Sequence, residues 1–205
     1  MAVRETAYDT VFDSVRHFRT ILDGMARPGT IGGLDPVALD PPAGLSVAGA
    51  CVALALLSGD VSFHAARMDD GESAYLSANT LARSADVGEA DFVFLSGRAS
   101  RSVIDAARQG NPLYPETGPT AVIDVGLVSR TPIEGGLRIT VEGPGVDGRA
   151  VFFAAKLGSE LLEALKDRNA EFPLGVDAIL TGVNGEGAPA VACLPRTAKA
   201  TWECC

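Results

Sequence analysis

Two strongly apolar runs, Phe92-Val93-Phe94-Leu95 with no polar residue and Ala121 to Val125 with Asp124 as its one polar residue, set the strongest limit on how this chain can fold. A strand that is apolar at every position has no face to give to water, so it must be covered on both sides. The segment between the two runs supplies such a cover: Ser102 to Gln109 has helical spacing and is stopped by Gly110-Asn111-Pro112. Strands of this kind alternating with helices predict an α/β class and a mixed, mostly parallel sheet whose crossover helices bury each face. With 205 residues, 47% of them hydrophobic and 21% charged, residues 1-205 are expected to form a single domain with a substantial core.

The flanking segments fit that plan. Val11, Val15, Phe18, Leu22 and Met25 recur at helical spacing, opposite Asp13, Arg16 and Asp23, so Val11 to Met25 is expected as an amphipathic helix. Asp9 or Thr10 can cap it, and Arg27-Pro28-Gly29 ends it. A second, almost wholly buried helix is expected within Ser46 to Leu57, a short strand over Val61 to Ala65, then a polar loop and a helix near Ser77 to Ser84. Leu137 to Val141 alternates as a half-exposed strand does, and Ser159 to Arg168 places Leu161, Leu162 and Leu165 on one helical face. Val176 to Thr181 and Ala188 to Leu194, joined through Asn184-Gly185, predict an antiparallel hairpin at the sheet edge. The C-terminal Cys204-Cys205 pair could be redox-active, though an exposed, frayed terminus is the simpler reading.

Functional motifs are few. Gly143-Pro144-Gly145-Val146-Asp147-Gly148 matches the dinucleotide pattern Gly-x-Gly-x-x-Gly, but Arg149 to Ala154 after it has strand character where a phosphate-holding helix would have to begin, so a hairpin turn is expected. A net charge of -9 argues against nucleic acid and anionic membranes as partners, and the longest apolar run, Ser46 to Leu57, is too short to span a bilayer. With no apolar leader visible at the N-terminus, the expected location is cytoplasmic. Cys51, Cys193, Cys204 and Cys205 form neither a disulfide framework nor a metal-ligand spacing, and His17 and His64 lie far apart in sequence, so no metal is expected. Lys156 sits between a strand and a helix, as a Schiff-base lysine could, though a solvated surface lysine is the simpler reading. Arg27, beside Pro28-Gly29, and Arg196, after Leu194-Pro195, are the candidate anion-binding residues; a helix-end charge for Arg27 and a local salt bridge for Arg196 are equally consistent with their context.

Five stretches in order carry a resemblance across nearly the whole chain: His17-Phe18-Arg19 through Met25-Ala26-Arg27-Pro28-Gly29-Thr30-Ile31; Pro115-Glu116-Thr117-Gly118-Pro119-Thr120; Gly143-Pro144-Gly145; Phe172-Pro173-Leu174-Gly175-Val176-Asp177; and Leu194-Pro195-Arg196-Thr197. Together they resemble the PhnH family, the H subunits of bacterial carbon-phosphorus lyase. The resemblance implies a homodimer and a three-layer α/β/α sandwich similar to the large domain of pyridoxal-phosphate-dependent transferases, without the cofactor. It implies a core assembly with the G, I and J subunits. It also implies a requirement, together with G, I and the L protein, for making α-D-ribose 1-methylphosphonate 5-triphosphate from ATP and methylphosphonate, with adenine displaced. No catalytic residue is transferred by it, so an accessory role is expected; the alternative is an enzyme that binds a nucleotide or phosphonate in the dimer cleft.

Overall fold

The structure, a computed structural model, describes residues 4-66 and 70-205, so the polar loop read after Ala65 falls partly outside the described residues. The chain order is α1 (Phe12–Ala26), β1 (Ile31–Gly33), α2 (Val47–Leu56), β2 (Ser62–Ala65), α3 (Asp70–Thr80), β3 (Arg83–Ser84), β4 (Phe92–Ser96) and α4 (Ser102–Ala106). It continues through β5 (Thr120–Ser129), β6 (Leu137–Glu142), β7 (Ala150–Ala154), α5 (Ser159–Arg168), β8 (Asp177–Val183), β9 (Pro189–Leu194) and β10 (Lys199–Cys204). The class is mixed α/β.

The two apolar runs become β4 and β5, neighbours in the middle of a path ordered β1-β9-β8-β5-β4-β2-β3. Parallel pairing joins β8, β5, β4, β2 and β3; β9 and β1 add antiparallel strands beyond β8. β5 also belongs to a second set of strands. A bulge between Asp124 and Gly126, where the Asp124 carboxylate accepts from the Gly126 N–H at 3.0 Å, turns its far end away. Val128 and Ser129 then pair with β7, which continues antiparallel into β6 and β10.

The mostly parallel expectation is therefore corrected, because five of the nine ladders among the described residues are antiparallel and four are parallel. The reason is visible in β6, whose buried and half-buried residues alternate along its length: a strand with one wet face does not need a crossover helix and returns through the short Gly143 to Gly148 connection. The β8-β9 hairpin forms as expected but is not an edge, since Ile31 to Gly33 pair outside it.

Each face of the β1-to-β3 path has its own core. On one side α1, α2 and α3 bury Ile21, Cys51, Val52 and Leu76 against Phe63, Val122 and Ile179. On the other, α4, α5 and the inner side of β6 and β7 bury Ile104, Leu161, Ile139 and Phe152 against Val93, Ile123 and Leu180. The helix expected near Ser77 to Ser84 lies earlier, because Leu81 takes a left-handed conformation (φ 64°) that stops α3 and frees Arg83–Ser84 to pair with β2. The expected fraying of the tail is also corrected: Lys199 to Cys204 pair residue by residue with Glu142 to Leu137.

Burial shapes the thiols. Desolvation pushes the Cys51 and Cys193 thiols from their ordinary value near 9 up to about 12, with Asp13 and Glu5 adding to it at Cys51 and Asp177 at Cys193. A thiol whose value is higher in the folded chain contributes stability that is complete below about pH 9 and is lost as pH rises toward about 12. Urea denaturation between pH 8 and 10 should therefore show falling stability above about pH 9 in the parent chain, and a shallower fall in a Cys51→Ala/Cys193→Ala variant. An identical pH slope in both would refute the assignment.

Candidate functional site

The sequence between β9 and β10 turns sharply at Leu194-Pro195, and the next residue, Arg196, is directed inward. Its side chain is only 11% exposed. Asp177 begins β8 directly beside it. The Arg196 backbone N–H donates to Asp177 Oδ1 at 2.7 Å, Nη2 to Oδ2 at 2.7 Å, and Nε to both oxygens at 3.2 and 3.1 Å. The remaining face of the guanidinium reaches the segment before β5: Nη1 donates to the Pro115 carbonyl at 2.8 Å and Nη2 to the Gly118 carbonyl at 3.3 Å. A planar fork with five donors can hold a carboxylate and two carbonyls at once, which an ammonium cannot.

Three of the five marked stretches meet at this clamp, and the Gly143-Gly145 turn joins them beside it, since a Cβ on Gly143 would stand 3.1 Å from the Thr197 carbonyl. A Cβ on Gly118 would stand 2.6 Å from Arg196 Nη1 and would collide with the Gly175 carbonyl, so only glycine lets the Pro115 turn, the Phe172 corner and Arg196 close together. Gly145 has φ +80° and lies directly on the Ala26 carbonyl, where any side chain would collide; this brings the Gly143-Gly145 turn against the end of α1. The corner is fixed by Asn169, whose side chain accepts from the Val176 N–H at 2.7 Å and donates to the Val176 carbonyl at 3.1 Å. The Phe172-Pro173 peptide within it is cis.

Arg27 and Arg196 share no bonding partner. Arg27 is 63% exposed and bonded to Asp23 one turn back on α1, and this bond raises its already high pKa. It is a surface cation at the end of a helix, whereas Arg196 has its donors turned toward Asp177 and two carbonyls. Lys156 is exposed, has φ 51°, and lies over Gly126 at the β5 bulge, where a Cβ would stand 3.3 Å from its Cδ. His17 is fully buried. Its Nε2 donates to the Asp35 carbonyl at 3.2 Å, so Nδ1 accepts from the Tyr8 hydroxyl at 3.2 Å. His64 Nδ1 donates to the Ala85 carbonyl at 3.0 Å. Among the described residues no group of three or more His, Cys, Asp or Glu side chains is placed to hold a metal ion.

One surface escaped the sequence reading. The stripe that helical spacing marks as apolar faces mostly outward: Val11 is 62% exposed, Val15 44%, Phe18 45% and Leu22 54%, with Phe12 beside them 68% exposed, and only Met25 packs partly against the core. Asp13, His17, Ile21 and Gly24 are buried in its place. The signal available in the sequence was His17 itself, a residue able to satisfy two partners inside, spaced one or two turns from Asp13, Ile21 and Gly24.

The sequence profile described as "Bacterial phosphonate metabolism protein (PhnH)" matches residues 6-201. The chain belongs to the PhnH family. It is 33% identical over 194 residues, 93% of this chain and 92% of the other, to a Rhizobium meliloti (strain 1021) protein named "Alpha-D-ribose 1-methylphosphonate 5-triphosphate synthase subunit PhnH". It is 37% identical over 115 residues, 56% of this chain and 53% of the other, to the "Putative C-P lyase subunit protein HtxG" of Stutzerimonas stutzeri. All five stretches of this PhnH-family chain lie inside the matched span, and three of them, Pro115 to Thr120, Phe172 to Asp177 and Leu194 to Thr197, close on Arg196.

If the clamp is structural, breaking it costs stability. Asp177→Ala, which leaves a largely buried guanidinium without its carboxylate, should lose about 3 kcal/mol in urea denaturation. Arg196→Lys should recover less than half of what Arg196→Ala loses, because an ammonium replaces only part of the fork. Stability of Asp177→Ala equal to that of the parent chain would contradict this.

Proposed function

We propose that this chain is an accessory subunit of a bacterial carbon-phosphorus lyase system. In this reading it assembles with G, I and J subunits and is required, with G, I and the L protein, for forming α-D-ribose 1-methylphosphonate 5-triphosphate from ATP and methylphosphonate. The reading is supported by family membership and by the near full-length similarity to a protein named as a subunit of that synthase. One structural observation carries the assembly role: α1 presents Val11, Phe12, Val15, Phe18 and Leu22 outward as a continuous apolar stripe. Single exposed apolar residues are ordinary on protein surfaces, but five on one helix form a patch of the kind that marks protein contacts.

The same reading includes a homodimer, the three-layer sandwich related to pyridoxal-phosphate transferases, no cofactor and a cytoplasmic location. Separate cores on the two faces of the main strand path support the layered description. No helix among the described residues is long and apolar enough to cross a membrane. The alternative, an enzyme binding a nucleotide or phosphonate in a dimer cleft, draws its support from Arg27, an exposed cation at the end of the apolar stripe, more than from Arg196, whose donors are occupied.

Deleting the gene should abolish growth on methylphosphonate as sole phosphorus source while leaving growth on phosphate intact. The parent gene should restore growth, and a Phe12→Glu/Phe18→Glu variant should not, although its stability should stay within about 1 kcal/mol of the parent because both rings are exposed. Normal growth of the deletion strain on methylphosphonate would sink the proposal.

A further inference from the structure

β10 is an unprotected sheet edge. Among the described residues it pairs with β6 on one side and with no strand on the other. The other free edges are short, with three residues in β1 and two in β3, which is a common way to keep an edge from recruiting another chain; β10 has six.

The direction of its free backbone groups follows from one bond. Cys205 donates its N–H to the Gly136 carbonyl at 3.0 Å, which places it in the hydrogen-bonded rank of the ladder. With the register Lys199↔Glu142 to Cys204↔Leu137, the odd-numbered residues Lys199, Thr201 and Glu203 then bond to β6. Ala200, Trp202 and Cys204 point their N–H and C=O groups away from the sheet. Beside that edge a groove of about 710 Å³ runs between β10 and the end of α5, floored by Leu162 and Leu165 and bordered by Phe172, Trp202, Lys166 and Lys199.

We propose that this groove binds an extended segment of a partner polypeptide, which adds a strand to β10 and carries apolar side chains on one face and acidic side chains on the other. Successive residues of an added strand point to opposite faces. One set would continue the side on which Ala200 and Trp202 pack against the core, over Leu162 and Leu165, and must be apolar. The other set would continue the outer side, next to Lys199. Charge selects the segment: two of the chain's three lysines border the groove, and neither is in an ion pair among the described residues. The neighbouring acid, Asp167, is already held by Arg101 at 3.0 Å, and Glu203 by Arg138 at 2.7 Å. In a protein of net charge -9, a groove lined by two unpaired lysines, whose one lining acid is already paired, fits an acidic guest. Main-chain bonds to the edge supply affinity and the alternate side chains supply selectivity, the usual division in strand addition.

This inference rests on the assembly role proposed above, and hydrogen-deuterium exchange separates the two. The chain is compared alone and in the complex purified after co-expression with the G, I and J subunits. Alone, the Ala200, Trp202 and Cys204 amides should exchange quickly while Thr201, Glu203 and Cys205 are protected by β6. In the complex all six should be protected, with the first three slowed at least tenfold. Lys166→Glu/Lys199→Glu should weaken association at least tenfold, and so should Ala200→Pro, which removes an outward N–H while leaving the β6 ladder intact. A complex that forms with the three outward amides still fast would overturn the groove and leave the assembly role standing. Protection that appears in the chain alone as its concentration rises would assign the edge to a second copy, and the proposed partner segment would fail. Failure to join any complex would remove both ideas.

Discussion

The bond between Arg196 and Asp177 is the constraint on which the rest of the architecture depends. It ties the end of β9 to the start of β8, and through the Pro115 and Gly118 carbonyls it fixes the entry to β5, the strand that belongs to both sets of pairings. Charge-assisted bonds in a mostly water-free position are individually strong, and removing one partner exposes the full cost of desolvating the other. Selection of such a clamp also has a functional consequence. A guanidinium whose donors face a carboxylate and two carbonyls has little left for an exogenous anion. The most specific sequence signature in the chain therefore describes a structural joint more readily than a reaction centre.

α1 shows a different use of buried polarity. Ordinary amphipathic packing would bury Val15, Phe18 and Leu22, yet the helix buries His17 and Asp13. That orientation is tolerable because each polar atom finds a partner: Tyr8 and Asp35 for the imidazole, and the Asp9 N–H and Arg16 for the carboxylate. A satisfied polar network inside costs little, whereas burying a large apolar side chain is worth about 1.5–3 kcal/mol, so the outward stripe is free energy held back from folding and available to association. Only part of it would appear as affinity, since ordering two surfaces consumes the remainder.

The difference between what was legible and what was not follows from the range of the interactions involved. β4, β5, α5 and the β8-β9 hairpin could be read from the sequence because local pattern and tertiary environment agree there: Phe92 to Leu95 is apolar throughout and is covered on both faces. β1 and β3, with three and two residues, are too short to have a period. β10 was hidden for another reason. Lys199 to Cys204 alternate weakly, and only pairing with β6, some sixty residues earlier, makes them a strand. The helical spacing of α1 was legible and its orientation was not, because periodicity gives a face and not the neighbour that covers it. The roles of Arg27 and Arg196 diverged for the same reason: similar Pro-flanked contexts, but only Arg196 has an acid across the sheet to receive it.

The position of the two exposed surfaces adds a final step. The α1 stripe belongs to the layer of α1, α2 and α3 on one face of the main strand path, and the β10 edge belongs to the layer of α5, β6 and β7 on the other. Docking at both would let one small chain contact two neighbours without the contacts competing, and linked contacts raise each other's effective concentration only if their geometry is fixed. Arg196 supplies that rigidity. It stands three residues before β10 and is anchored to β8, and the next residue, Thr197, lies against the Gly143-Gly145 turn, which rests on the Ala26 carbonyl at the end of α1. Loosening that junction would leave both surfaces intact yet change the angle between them, so a variant with normal patches and a broken clamp should fail at assembly before it fails at folding.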